Sequence, residues 1–177
     1  MTSFKDRIIG AARLDANIYE EIEADTQAMS QAMLVVVLSS LAAGIGNLRG
    51  GGFGGIFVTT LTALAGWFIW AYITYFIGTR LLPEPQTEAD PGQLLRTIGF
   101  SSSPGLIRIL AIIPGLSKIV FFVTAIWMLV AMVVAVRQAL DYNSTLRAVG
   151  VCAIGWIIQM LIFALIFSMF GGCGRAV

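Results

Sequence analysis

Between Asp25 and Glu84, and again between Asp90 and Asp141, the chain contains no carboxylate. Within those stretches lie apolar runs long enough to cross a bilayer, which takes about 20 helical residues at about 1.5 Å each. A soluble domain has no use for such runs. Of the 177 residues, 58% are hydrophobic and 12% charged, against about 45–50% and 25% in soluble domains. The mean hydropathy is +0.87. The fold class expected is therefore all-α, an integral membrane bundle of five transmembrane helices with a short amphipathic N-terminal region.

The layout follows from the runs. Residues 1–27 read as a cytoplasmic amphipathic region, with Ser3 three before Asp6 in the manner of a capping box and Phe4 and Ile8 on one helical face. Acidic residues from Asp15 to Asp25 follow around Ile18, Tyr19 and Ile22. A secretory signal would place a short basic region before its apolar run, so the first run is expected to be a retained anchor. The spans fall at about 29–48, 56–82, 94–113, 116–140 and 148–170, with 171–177 as a tail. The run Arg49-Gly-Gly-Gly-Phe-Gly-Gly lacks the Lys-Ser/Thr of a phosphate cradle and reads as an interhelical turn. Trp67, Trp70, Tyr72 and Tyr75 mark an interface or a packing seam.

The third span is the irregular one. Gly99, Pro104 and Gly105 interrupt it, and Pro104 removes a backbone donor, so a kink or break is expected there. Ser101, Ser102 and Ser103 can serve the carbonyls left free. The distribution of basic residues places the N-terminus inside: Lys5, Arg7, Arg13, Arg80, Arg96, Arg137 and Arg147 then lie inside, against Arg49, Arg108, Lys118 and Arg175 outside. The same rule is also satisfied by four spans plus a re-entrant third segment, so both topologies stay open.

Chemistry is sparse. There is no histidine, which removes the commonest general base and the usual haem and zinc ligand. Neither catalytic, cofactor-binding nor metal-binding residues are expected. Cys152 and Cys173 read as structural thiols. Eleven basic against ten acidic residues offer no excess for nucleic acid. Arg108, the one charge well inside a span, is a site candidate by default, with a structural or lipid-headgroup role. Arg137 and Asp141, at i and i+4, are expected to pair locally and end the fourth helix. In the fifth span Ala164, Ser168 and Gly172 form a small-residue stripe, to be packed on Ser39, Ala43, Ser40 and Gly44 of the first span or against another protein's helix.

One set of local patterns resembles a known family. Gln93-Leu-Leu-Arg96, Gly99-Phe-Ser-Ser-Ser-Pro104, Ile113-Pro-Gly115, Trp127 in a Val/Ala-rich helix, Val136-Arg-Gln-Ala-Leu-Asp141 and Ser144-Thr-Leu-Arg147 resemble the Yip domain family. These are five-span membrane proteins named for Ypt/Rab-interacting proteins of the early secretory pathway. Leu14-Asp-Ala-Asn-Ile-Tyr19-Glu-Glu-Ile and Ala42-Ala-Gly-Ile-Gly46 are similar to the short prokaryotic members in particular. The resemblance implies a non-enzymatic protein of the cytoplasmic membrane, N-terminus inside, working through membrane lipids, other membrane proteins or itself. The eukaryotic relatives carry a longer N-terminal region, so a Rab-type GTPase is not the partner expected. The role expected is a membrane-organising scaffold or small accessory subunit; the alternative is a permease or channel for a small neutral or lipid-like solute.

Overall fold

The computed structural model describes residues 2–171, and of residues 48–53 and 163–171 the backbone alone. Among the described residues there are helices and no strands. Two short helices open the chain, α1 (Phe4–Ala12) and α2 (Ala16–Ala24). The Ser3 hydroxyl caps α1 by accepting from the Asp6 amide, and Asp15 caps α2 by accepting from that of Asn17. Leu14, at φ 64°, turns the chain between them. Arg7, 1% exposed, closes the hairpin with ion pairs to Glu21 and Asp25, both at 2.8 Å.

The long helices follow as α3 (Ala28–Gly46), α4 (Leu48–Phe76), α6 (Ser117–Ala139) and α7 (Thr145–Gly171). These four contain the helices long and apolar enough to cross a membrane. The glycine run after Arg49, expected as a turn, lies inside α4. In an apolar medium the backbone must bond to itself, and a helix does so even through glycines that would favour coil in water. The turn contracts to Asn47. At its other end α4 loosens into a π-helical turn, Ile77–Leu81, whose rim is held by Tyr142. That hydroxyl lies 2.9 Å from the Gly78 carbonyl and 2.6 Å from that of Leu82, sharing its one proton.

The stretch expected as the third of five spans is two short helices. First comes α5 (Pro91–Phe100), started by a capping box in which Asp90 accepts from the amides of Gly92 and Gln93 and Gln93 reaches back to Asp90. Beyond Phe100 the chain turns through Ser101 and Ser102 and continues as a 3-10 helix, Ser103–Ile112. The hydrogen-bond ledger explains the change. Pro104 has no amide to give the Phe100 carbonyl, and the Ser103 hydroxyl donates to it instead, at 2.6 Å. The Ser102 amide turns to Gly99, and the Ile98 carbonyl it leaves is served by the Ser101 hydroxyl at 2.7 Å.

Two ends of the bundle can be told apart by what meets there. At one end the 82–90 loop joins the 140–144 turn: the Asn143 amide donates to Glu84, Arg147 to the Pro83 carbonyl, and Gln86 to the Asp141 carbonyl. The α1–α2 hairpin lies on the same side, through Gln138 to Glu20 and Gln93 to Glu23. At the opposite end Asn47, Pro114 and Gly115 surround one small hollow. Between the ends, α5 and the 3-10 helix run alongside α3 in the same direction, Gly99 against Ala32, Gly105 against Ser39 and Gly46 against Ala111. A Cβ on Gly99 would stand 2.7 Å from that of Ala32, so only glycine permits this approach. The core is concentrated towards the hairpin end, with Leu94, Ile98, Val136, Leu140 and Val151 in one cluster and Tyr19, Ile22, Ala32, Val35 and Phe100 in another.

Candidate functional site

Away from that core the bundle opens. A cavity of about 620 Å³ lies between α3, α4, α6, α7 and the 3-10 helix with the turn before it. That volume is in the range of small-molecule and cofactor pockets. Its polar lining is supplied by Ser39 and Ser40 of α3, Thr59 of α4, Ser101 and Ser102 at the helix break, Arg108, and Gln159 of α7. The rest is apolar, with Trp67 and Trp70 of α4, Phe122 and Met128 of α6, and Trp156 of α7. Phe122, Ile126, Leu129 and Trp156 line it and are also 68%, 52%, 47% and 52% exposed, so the cavity opens sideways, between helices. A second hollow, of about 170 Å³, shares Ala43 and Thr59 with it and extends to Asn47.

Several polar groups there have capacity to spare. Arg108 donates from Nε to the Thr124 hydroxyl at 3.2 Å and sits 5.7 Å from the centroid of Phe121. Those are its polar and π partners among the described residues, and neither carries charge. Thr124 in turn donates to the Val120 carbonyl at 2.7 Å. Ser40 is spent on the Val37 carbonyl and on Thr60, and Ser101 on Ile98. No hydrogen bond to Ser39, Ser102 or Gln159 side chains occurs among the described residues, which leaves those groups for a ligand.

The other residues singled out from sequence are dispersed. Gly99 is packed on Ala32; Ser103 and Pro104 are buried in the bundle. Trp127 lies on the far side of α6, its indole nitrogen donating to the Ala12 carbonyl at 2.7 Å. Arg137 and Asp141 do not pair, in contrast to the expectation from their spacing. The helix ends at Ala139 and Asp141 adopts φ 52°, so the i, i+4 geometry is lost; Arg137 donates to the Tyr142 and Asn143 carbonyls instead. The stripe of Ala164, Ser168 and Gly172 lies outside the residues whose side chains are described. Its expected seat on α3 is in any case engaged elsewhere, since Ser40 meets Thr60 of α4, Gly44 packs on Ile56, and Ser39 faces Gly105. Thr59 and Gln159 were not marked by the sequence reading. Gln159, an amide within the last apolar run, was the signal on offer.

Electrostatics outside the spans gather in the hairpin. The Arg7 hydrogen bond, helped by Thr2, holds the Glu21 carboxyl down at about 2, and Arg7 likewise lowers Asp25. Burial, and then the nearby charge of Asp141, push Glu23 up to about 7. Glu23 accepts from Gln93 at 3.0 Å, and Arg96 donates to its carbonyl.

Four long apolar helices with their aromatic and aliphatic side chains turned outward define a multi-pass α-helical membrane protein. The model of the Yip1 domain matches residues 16–167, and the chain belongs to that family. No curated protein and no solved structure matches it.

Proposed function

We propose that the protein works without catalysis, by holding a lipid-like molecule in the cavity between α4 and α6. The carrying observation is the cavity itself: polar groups with unused hydrogen-bond capacity share it with apolar side chains that are exposed on the flank of long apolar helices. Such a site suits an amphiphile whose tail stays among Phe122, Ile126 and Trp156 while its polar part reaches Ser39, Ser102 and Gln159. This is the lipid-like form of the solute-handling role set out above. A membrane-organising scaffold or accessory subunit is the companion reading, supported by the exposed apolar faces of α4, α6 and α7, such as Phe57, Leu61, Ile119 and Ile157. Its partners would be other membrane proteins or a second copy of the chain.

The orientation proposed is N-terminus inside the cytoplasmic membrane, with five crossings. Three features support it. The basic residues favour that side for the N-terminus. The 82–90 and 140–144 segments meet at the hairpin end. And α5 with the 3-10 helix runs beside α3 from Ala32 to Gly46, where a re-entrant segment would turn back. Ten α-helical residues and ten in a 3-10 helix rise about 15 and 20 Å, together enough to cross a hydrocarbon core of about 30 Å.

A cavity-filling substitution tests the functional reading. Gly66 lines the cavity, and a Cβ there meets nothing within 4 Å. The protein purified in mild detergent is expected to retain stoichiometric lipid, seen by mass spectrometry of the extract, and Gly66→Leu to lose it with its thermal stability intact. Equal lipid in both proteins, or none in either, would overturn the proposal; a reproducible stoichiometric membrane-protein partner with an empty cavity would favour the scaffold.

A further inference from the structure

Arg108 poses the sharpest electrostatic question in the molecule. Ile113 stands five residues further along the chain, about 10 Å at about 2.0 Å per residue of 3-10 helix, and Arg108 bonds back to α6 rather than reaching out to that end. Its Nε bonds to Thr124, a residue 1% exposed, its guanidinium lies 5.7 Å from the Phe121 ring, and the residue lines the central cavity. A cation placed this way in hydrocarbon needs a counter-charge or a dense set of acceptors. The chain cannot supply one from its spans, because no Asp or Glu occurs between Asp25 and Glu84, between Asp90 and Asp141, or after Asp141. The nearest carboxylates in sequence belong to the hairpin end, where Asp90 caps α5 and Asp141 is exposed, whereas Arg108 lies towards the Asn47 end beside Gly46.

From this the geometry points to a phosphate-bearing lipid as the cavity's occupant, with its phosphate on the guanidinium of Arg108. The inference rests on the amphiphile reading above and specifies the headgroup chemistry. Charge complementarity carries it. Guanidinium is a planar fork that pairs bidentately with phosphate oxygens, and with Nε held by Thr124 the two terminal nitrogens remain to do so. The unspent hydroxyls of Ser39 and Ser102 line the same cavity and can donate to the remaining phosphate oxygens. The acyl chains leave sideways past Phe122, Ile126 and Leu129, each about half or more exposed. The neighbouring hollow, which shares Ala43 and Thr59 with the cavity, reaches Asn47 at the end of the bundle from which such a headgroup would arrive. The phosphate would thus sit below its normal level in the leaflet, drawn into the protein.

The test compares two lipids with identical chains, phosphatidylglycerol and diacylglycerol, titrated into delipidated full-length protein in detergent. Binding is read from tryptophan fluorescence, since Trp67, Trp70 and Trp156 line the cavity. Phosphatidylglycerol is expected to bind saturably and diacylglycerol about tenfold or more weakly, the difference that loss of a charged hydrogen-bonded contact makes. Arg108→Leu should bring phosphatidylglycerol down to the diacylglycerol level, while Arg108→Lys, which keeps the charge and loses the fork, should retain part of the preference. Circular dichroism of both variants checks the fold. Equal affinity for the two lipids, or unchanged phosphatidylglycerol binding in a folded Arg108→Leu, overturns the headgroup assignment. In that case loss of both lipids in Gly66→Leu would still uphold the amphiphile site, and absence of any lipid binding would remove both. Inorganic phosphate binding as tightly as the lipid would assign the site to a free anion and overturn the lipid.

Discussion

Glu23 shows how far a single side chain's setting departs from its sequence context. It is one of five acidic residues between Asp15 and Asp25, yet it is held up, at about 7, because α2 buries it against α5 and turns it towards Asp141. A carboxyl whose folded value is raised from 4.5 to about 7 favours folding below the lower value, and that contribution is lost as pH rises through the upper one. Glu21, held at about 2, has the opposite sign but acts below this window. The melting temperature in detergent is therefore expected to fall as pH rises from about 4.5 to about 7, and Glu23→Gln to flatten that slope. A slope unchanged in the variant would assign the effect to another group. Neither value was legible in the sequence, where both residues were members of one acidic run.

At the scale of elements, the α1–α2 hairpin is the part whose role the sequence left most open. Its first cap and its packing under the bundle were readable from Ser3, Asp6 and the apolar spacing, but the Asp15 cap and the residues that receive it were not. The hairpin packs along α5 and α6 through Tyr19, Ile22 and Phe100, with Phe4 edge-on to Phe100 at 6.3 Å, and its tip is pinned by the Trp127 bond to Ala12. Trp127→Phe keeps the ring and removes the donor, at a cost of about 1 kcal/mol. Amide exchange across residues 4–24 is expected to quicken in that variant while α3 and α6 keep their protection. Uniform protection in both proteins would mean that apolar packing alone holds the hairpin. The irregular third segment illustrates the complementary case: the missing amide of Pro104 and the hydroxyls that replace it are local facts, whereas the continuation beyond Ser102 as a 3-10 helix depends on what lies beside it. Gly105 must pass Ser39 and Gly46 must pass Ala111, and the tighter helix fits along α3.

For the whole molecule, the test is topology. With both native cysteines replaced by serine, single cysteines at the exposed positions Asn143 and Asn47 are expected to label from opposite sides with an impermeant reagent. Asn47 should react in intact cells and Asn143 only after permeabilisation. Labelling of both from outside would overturn the five-crossing arrangement; reversed labelling would overturn the orientation.

What the sequence determined by itself was the medium and the class. Charge-free runs of bilayer length leave the backbone no partner but itself, so helices followed from composition and length without any knowledge of packing. The service of free carbonyls by the Ser101 and Ser103 hydroxyls was readable for the same reason, each bond being settled within three residues of chain. Only the tertiary structure decided which side chains share a space. Ser102 and Arg108 share the 3-10 segment, but Ser39, Thr59 and Gln159 come from three others, and no periodicity links the four segments. They converge because glycines and serines let α5 and the 3-10 helix lie close against α3, while α4 and α6, lined there by large aromatic and aliphatic side chains, are left bracketing the cavity.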